Sequence, residues 1–254
     1  LAKKKVKVAL SADGGDEAFC GYSKYFFLDS FKSVLSSSFK KLILGATLNI
    51  FGPNSIEHIN DVLPNNKKQK NIKDKYKKFK RAVNSDSLEE MFENASSYED
   101  IRYIKKFLVI NKDQKVYEKW KKTNNLEFLE HMMAVDYKLF MSDDILTKID
   151  RATMSVSLEG REPLLDHRII EYLARVPKEI KYKNKEGKYL LKKLLYKYLP
   201  RKLVDRQKSG FQIPLNSWLR DKLKPLVMKY LHKSKLDSNI FDLHEIDNLK
   251  KRIF

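Results

Sequence analysis

The sequence contains a single cysteine, Cys20, among its 254 residues. An intrachain disulfide is therefore excluded, and low cysteine usage is typical of a reducing compartment, so we expect a cytoplasmic location. Cys20 stands among aromatic residues in a helical pattern, which favours a small core residue over a nucleophile. The longest apolar run, residues 42–51, contains Asn49 and is too short to span a bilayer, so we expect no membrane partner.

Several common site signatures are also missing. The five histidines are scattered and show no metal-ligand spacing. The chain has no Gly-x-x-x-x-Gly-Lys-Ser/Thr loop and no dinucleotide-binding fingerprint. Any phosphate or nucleotide site must therefore be built from other residues.

Acidic residues are scarce relative to basic ones: 33 Asp and Glu stand against 52 Lys and Arg, a net charge of +19. A polyanionic partner such as nucleic acid would explain this excess. Lysine outnumbers arginine heavily, however, whereas phosphate and base recognition favours the arginine fork. The same two interpretations apply to the basic run 67–81, and for both we favour a solvated lysine-rich surface over nucleic-acid binding.

The residues that are present indicate a globular, mostly helical protein. Hydrophobic residues make up 42% of the chain, enough for one large core or two small ones. Residues 6–10 read as a strand buried on both faces, and helical periodicity dominates afterwards. The fold class expected is mostly α with one or two parallel strands. We expect the opening strand to lack a partner within the chain, and its exposed edge is compatible with a homo-oligomer.

Helical periodicity and breakers divide the rest of the chain. The strongest pattern lies at 126–146, where Met132 and Met133 favour core packing and Asp143-Asp144 is expected to interrupt the helix. Asp166 is a candidate N-cap for a helix at 167–175. Further helices are expected at 17–31, 33–49, 67–81, 189–199 and 214–233 and in the C-terminal tail.

The opening strand runs into a glycine turn that carries three carboxylates, Asp13, Asp16 and Glu17. A single aspartate at a helix start is usually a cap. Carboxylates beside paired glycines also suit Mg²⁺, which in turn binds phosphate oxygens, or a general base in a cleft. The backbone around Ser11 and Ala12 could hydrogen-bond a nucleotide base or ribose.

A second candidate cation lies far along the chain. Lys208 stands in a polar, glycine-containing loop that could bring it over a phosphate during reaction. The alternative is one more surface lysine, and sequence chemistry alone favours that alternative.

Three motifs together resemble the glutamine-hydrolysing asparagine synthetases. Residues 8–22, Val-Ala-Leu-Ser-Ala-Asp-Gly-Gly-Asp-Glu-Ala-Phe-Cys-Gly-Tyr, are similar to the family segment L-S-G-(D/E)-G-(G/S)-D-E-x-F-G-G-Y. Residues 150–167 resemble a second family motif, and residues 188–191 and 206–215 a third region. The matches follow the family's order from residue 6 to about 226, while 54–125 match poorly.

The resemblance implies a fold, a reaction and partners. The fold is an adenine-nucleotide α-hydrolase-like synthetase domain of the α/β class. ATP, with Mg²⁺ as cofactor, activates the side-chain carboxylate of aspartate as an acyl-adenylate and releases pyrophosphate. Ammonia, supplied by an N-terminal glutaminase domain, then gives asparagine and AMP.

The resemblance also implies roles for individual residues. Ser11 and Ala12 match positions that meet AMP, and Asp13 matches an acidic residue tied to the adenylate intermediate. Asp16 matches the residue near Mg²⁺ and pyrophosphate. Tyr22 matches an active-site tyrosine of the family, and Lys208 matches a lysine that stabilises negative charge on the phosphates.

Departures from the family pattern shape the expected function. Ala12 and Cys20 replace glycines, and Gly160 and Glu162 belong to a variant motif that raises the chance of a different acceptor acid, such as an acidic sugar in surface-polysaccharide assembly. The family's pyrophosphate loop, Ser-Gly-Gly-x-Asp-Ser-Ser, is absent from the sequence.

Residues 1–254 are therefore expected to be the C-terminal portion of a synthetase, inactive alone. A non-catalytic remnant or partner subunit is the second hypothesis, and a basic nucleic-acid-binding module is the third.

Overall fold

The computed structural model describes residues 1–35, 37–64, 72–97, 99–109, 126–184, 186–205 and 214–254. Over these residues the protein is mostly helical, with one two-stranded parallel sheet. The strands are β1 (Val8–Leu10) and β2 (Glu159–Arg161). The α-helices are α1 (Gly15–Ala18), α2 (Ser23–Leu35), α3 (Ser38–Ile50), α4 (Pro53–Val62), α5 (Ile72–Val83), α6 (Leu88–Ser96), α7 (Ile101–Lys105), α8 (Phe128–Asp136), α9 (Thr147–Met154), α10 (His167–Arg175), α11 (Lys178–Lys181), α12 (Tyr189–Leu195), α13 (Arg201–Val204), α14 (Leu215–Arg220), α15 (Lys224–Tyr230) and α16 (Leu243–Ile253).

The opening strand differs from expectation in two respects. The prediction that it lacks a partner is wrong, because β1 pairs in parallel with β2, with Ala9 opposite Gly160. A three-residue Glu-Gly-Arg strand carries no β-branched or alternating apolar signal, so its pairing is not visible in the sequence. The prediction of burial on both faces is also wrong, since Leu10 is 72% exposed and Val6 47% exposed.

The expected helix at 17–31 is divided by a sharp turn. Helix α1 ends at Ala18 and α2 begins at Ser23. Cys20 between them has a φ of 58°, in the left-handed region, which ends a helix. Cys20 is fully buried, and burial raises the pKa of its thiol to about 12. The interpretation of Cys20 as a core residue is thus confirmed.

The strongest predicted helix is longer than expected. Helix α8 continues without a break through a π-helical segment, Tyr137–Leu146, into α9. The expected interruption at Asp143-Asp144 is wrong, because both side chains are exposed to water and cost the helix little there. Met132 and Met133 are both buried, as predicted.

Other boundaries shift by a few residues or more. The basic helix is α5, at 72–83, and residues 67–71 of the predicted run lie outside the described residues. The helices expected at 189–199 and 214–233 are shorter, as α12 and as the pair α14 and α15. Asp166 caps α10 as predicted, accepting a hydrogen bond from the Arg168 backbone N–H at 2.9 Å.

The described residues form two compact units. The larger contains those of 1–96 and 126–205, and the smaller those of 97–109 and 214–254. In the larger unit, one hydrophobic cluster is centred on Tyr25, Leu28, Phe92 and Met132, and a second joins α1 to α10 through Phe19 and Leu173.

Backbone hydrogen bonds join the two chain segments of the smaller unit. The N–H of Val109 donates to the carbonyl of Ile240 at 2.9 Å, and the N–H of Asp242 donates to the carbonyl of Phe107 at 3.0 Å. None of the described helices is long and apolar enough to cross a membrane.

Candidate active site

The parallel sheet brings two distant segments to one edge. Because β1 and β2 run in the same direction, the turn that follows β1 and the segment that follows β2 lie side by side. The backbone N–H of Ser11 donates to the carbonyl of Arg161 at 2.9 Å and fixes the two together. The carboxyl edge of a parallel sheet is the usual position of a ligand site in α/β proteins.

The two glycines of the turn are required by close packing. Gly14 has a φ of 87°, and a Cβ there would overlap the Leu165 side chain. A Cβ on Gly15 would lie 3.0 Å from Leu164 Cδ1. The segment after β2 therefore packs directly against the turn after β1, which holds the carboxylates of the turn in place.

The start of the turn is a small polar loop. The Ser11 hydroxyl donates a hydrogen bond to the Asp13 carboxylate, and the backbone N–H of Asp13 donates back to Ser11 Oγ at 3.2 Å. Ala12 between them is exposed, and its φ is not positive, so the methyl group costs no backbone strain. Ser11 and Asp13, both candidates from the sequence, thus form one contiguous unit.

Asp16 is held by a cation to which the sequence analysis gave no role, although it begins a family-like segment. Its Oδ1 lies 2.9 Å from the Nζ of Lys188, 172 positions later in the chain. The N–H of Lys188 donates to the carbonyl of Phe19 at 3.0 Å, and a Cβ on Gly21 would overlap both Asp16 and Lys188. The turn after α1 and the start of α12 are therefore packed closely around this ion pair.

Asp16 is suited to contribute to a magnesium site but not to form one alone. The described residues contain no group of three or more side chains that could hold a metal ion. Mg²⁺ usually takes one or two protein carboxylates and completes its shell with water and substrate phosphates. One accessible carboxylate at the edge of the sheet fits that pattern, with Lys188 as the competing cation.

Tyr22 is bonded to a buried carboxylate. Its hydroxyl donates to Glu17 Oε1 at 2.5 Å, and Glu17 is only 2% exposed. Burial raises the pKa of Glu17 above its ordinary value, and burial together with this carboxylate raises the pKa of Tyr22. Glu17 was noted in the sequence as a carboxylate of the turn, but its partnership with Tyr22 five residues later was not foreseen.

A second buried carboxylate, Asp136, acts on Tyr22 through the neighbouring ring of Tyr25. Asp136 lies 2.8 Å from the Nζ of Lys24 and accepts a hydrogen bond from the Tyr25 hydroxyl at 2.6 Å. The Tyr22 ring packs edge-on against Tyr25, with ring centres 5.6 Å apart. The contacts join α2 to α8 and restrict the position of the Tyr22 ring.

Five of the six candidate residues lie close together in the chain, within residues 11–22, and in this segment Ser11 is bonded to Asp13. Lys208, the sixth, lies outside the described residues. Lys188 and Glu17 emerge as partners of candidate residues. The burial that pairs Glu17 with Tyr22 is not visible in the sequence, and no sequence pattern links Lys188 to Asp16.

Comparison with known proteins identifies the family of the chain. The asparagine synthase family model matches residues 1–252. Asparagine synthetase [glutamine-hydrolyzing] 1 of Bacillus subtilis is 30% identical over 94% of this chain and 36% of its own length. A putative asparagine synthetase [glutamine-hydrolyzing] of Mycobacterium tuberculosis is 36% identical over 35% of this chain and 14% of its own length.

These matches cover only part of the relatives. The chain spans about a third of the Bacillus subtilis protein, and less of the mycobacterial one. No solved structure matches the chain significantly. The family match extends over nearly every residue, including both segments that meet at the edge of the sheet, and the chain therefore belongs to the asparagine synthase family.

Proposed function

We propose that this chain is the C-terminal portion of an ATP-dependent, AMP-forming synthetase that amidates the side-chain carboxylate of aspartate. In this proposal the domain has the adenine-nucleotide α-hydrolase-like fold, and the ammonia comes from glutamine. A carboxylate oxygen of aspartate attacks the α-phosphorus of ATP, and the bond to pyrophosphate breaks. Ammonia then attacks the acyl carbon, loses a proton, and displaces AMP.

One observation carries the proposal: the parallel pairing of β1 with β2. It places the turn of residues 11–17 beside the segment of residues 159–166, and these belong to the two longest stretches that resemble the family, 8–22 and 150–167. Motifs 150 residues apart in the chain meet at the edge of a sheet where ligands usually bind.

The residues of the turn support distinct roles. Ala12 is exposed and Ser11 half-buried, so this segment would approach a nucleotide at Ala12, and Asp13 beside it would act on the adenylate intermediate. Asp16 would provide one oxygen ligand for Mg²⁺, which would neutralise pyrophosphate charge. Tyr22, whose hydroxyl donates a hydrogen bond to Glu17, would contact the reacting groups.

Lys208 would stabilise charge on the transferring phosphates, as the family motif implies. Lys188 already lies at Asp16 and is a second cation that a phosphate could recruit.

The proposal requires a further polypeptide segment. The family's pyrophosphate loop stands nowhere in the 254 residues, and the match to the Bacillus subtilis relative covers 36% of that protein. The apolar side chains of Val6, two residues before β1, and of Leu10, its last residue, are exposed, as expected of a strand that packs against more of a synthetase domain. We therefore expect no adenylation by the chain alone.

A different acceptor acid is the second candidate. A Cβ on Gly160 would lie 3.3 Å from the Glu162 carboxylate, so that carboxylate lies close to the end of β2. Gly160 and Glu162 are also the residues of the variant motif, and on that ground an acidic sugar is the alternative acceptor.

ATP–pyrophosphate exchange tests the proposal. We expect exchange with aspartate only when the chain is mixed with an upstream polypeptide that carries the missing loop. Lys208→Ala should abolish it, whereas Lys202→Ala, a matched change of an exposed lysine, should not. Exchange with an acidic sugar but not with aspartate would establish the second candidate. No exchange with any acid in the mixture would contradict both and favour a non-catalytic remnant.

A further inference from the structure

A cavity of about 190 Å³ lies behind the candidate active site, inside the larger unit. It is lined by α1, α8, α10 and α11, by the first residues of the π-helical segment, and by Leu126 before α8. Most of its wall is apolar, formed by Ala18, Leu126, Met133, Ala134, Ile170 and Leu173. A cavity of roughly 150 Å³ is enough to hold a benzene-sized molecule, so this one can accept a ring or a short branched chain.

One end of the cavity is formed by a buried cation. Lys181, the last residue of α11, lines the cavity and is only 5% exposed. Among the residues that the structure describes, no acceptor forms a hydrogen bond or ion pair with its ammonium group. Burial lowers the pKa of Lys181, and the charges of Glu130 and Cys20 oppose that shift. An ammonium group on a largely buried side chain, with no protein acceptor, is poorly solvated, and a bound anion would offset that cost.

The acidic groups of the wall are already engaged. Glu130 Oε2 accepts a hydrogen bond from the Glu127 backbone N–H at 3.2 Å, within the capping box of α8. Glu17 accepts the Tyr22 hydroxyl. Lys138, the other cation of the lining, is exposed and already makes interactions of its own. At the buried end of the cavity, Lys181 is therefore the donor that has no protein acceptor. A ligand group that carries negative charge would be a suitable acceptor for it.

We propose that this cavity binds a small monocarboxylate with an apolar body about the size of a six-membered ring, whose carboxylate pairs with Lys181. The apolar wall holds the body, and the ammonium group binds the head. This site is separate from the proposed adenylation chemistry and does not depend on it. Because Glu17 forms part of the wall and bonds to Tyr22, an occupant would also lie against the support of the candidate active site.

Binding of benzoate by isothermal titration calorimetry tests the proposal, with benzyl alcohol and benzylamine as probes of matched shape. We expect benzoate to bind the unmodified chain more tightly than either comparison probe. Lys181→Met keeps the apolar stem and removes the charge, so it should weaken benzoate binding by about 10- to 100-fold, the value of a charge-assisted hydrogen bond. Benzyl alcohol binding should be unchanged in that variant.

Two further variants separate the site from general effects of charge. Lys183→Met makes the same change at an exposed position two residues away and should leave benzoate binding intact. Ala134→Leu fills the cavity and should abolish binding of both benzoate and benzyl alcohol, with circular dichroism confirming that each variant is folded. Benzoate binding that is absent, no tighter than that of benzyl alcohol, or unchanged in Lys181→Met would overturn the proposal.

Discussion

The environment of Glu17 differs sharply from that of its neighbour Asp16. It follows Asp16 in the sequence, yet Asp16 is partly exposed and paired with Lys188, while Glu17 is 2% exposed and accepts a hydrogen bond from a tyrosine. Adjacent residues of a helix point about 100° apart, so one carboxylate faces the edge of the sheet and the other faces the interior. Two neighbouring acids thereby acquire different chemistry.

The raised pKa of Glu17 predicts a pH-dependent stability. The folded state holds the Glu17 proton more tightly than the unfolded state does. The free energy of unfolding therefore falls as the pH rises above 4.5, the ordinary pKa of a glutamate, and stops falling once the folded-state pKa of Glu17 is passed. We expect the free energy of unfolding of the unmodified chain to rise relative to that of Glu17→Gln when the pH is lowered from about 8 to about 5. Urea unfolding of both proteins across this range measures the difference.

Glu171→Gln is the matched control, because Glu171 is exposed on α10. Its stability relative to the unmodified chain should not change over the same range. A constant difference between the unmodified chain and Glu17→Gln would show that Glu17 titrates as an ordinary carboxylate.

The positions where this chain departs from the family's glycines differ in cost. Cys20 has a φ of 58°, where a side chain is disfavoured by roughly 1–2 kcal/mol. Its burial among Tyr25, Leu28 and Met132 offsets that strain. Ala12 has no positive φ and is exposed, so its methyl group affects only the space available to a ligand.

At the scale of elements, the contact between α2 and α8 is the one on which the candidate site depends. Lys24 lies among the rings of Tyr22, Tyr25 and Phe92, with its Nζ 4.9 Å from the Phe92 centre. Asp136 of α8 neutralises it at 2.8 Å. An ion pair enclosed by aromatic rings is weakly screened by water, so loss of one partner leaves a charge in an unfavourable environment.

Asp136→Asn should therefore destabilise the protein by about 3 kcal/mol, since it leaves Lys24 uncompensated and weakens the bond from Tyr25. Glu57→Gln, which removes the carboxylate from an exposed pair with Lys73, should cost less than about 1 kcal/mol. Chemical denaturation of the two variants measures both values. Equal losses would mean that the α2–α8 pair is no more important than a surface ion pair.

The sheet shows that some secondary-structure elements cannot be predicted from local sequence patterns. Helices with strong periodicity and a clear cap, such as α10 after Asp166, are predicted from the chain because their signals are local. Strand β2 has only three residues, with glycine at its centre, and it forms because Leu164 and Leu165 pack onto the glycine turn after β1. Such packing has no counterpart in the local sequence.

At the scale of the whole molecule, the net charge of +19 is the dominant property. Many lysines are nevertheless neutralised locally by carboxylates, and the described ion pairs include those of Lys24, Lys32, Lys41, Lys73, Lys178, Lys188, Lys192, Lys233 and Lys250. Local pairing favours a solvated basic surface over a dedicated nucleic-acid interface.

We accordingly expect only weak, salt-sensitive association with double-stranded DNA, with no complex retained at about 0.15 M salt. Electrophoretic mobility shifts over a range of salt concentrations measure this. A complex that persists at about 0.3 M salt would favour the nucleic-acid-binding hypothesis instead.

The family, the mostly helical class, the core position of Met132 and the cap at Asp166 all follow from the sequence, because motifs, periodicity and capping depend on residues close together in the chain. The assigned roles of Ser11, Ala12, Asp13, Asp16, Tyr22 and Lys208 stay predictions. Three features required the folded chain: the β1–β2 pairing, the Lys188–Asp16 ion pair and the Lys181 cavity. Each joins segments many residues apart, and such contacts depend on close packing between whole elements, which no local pattern encodes.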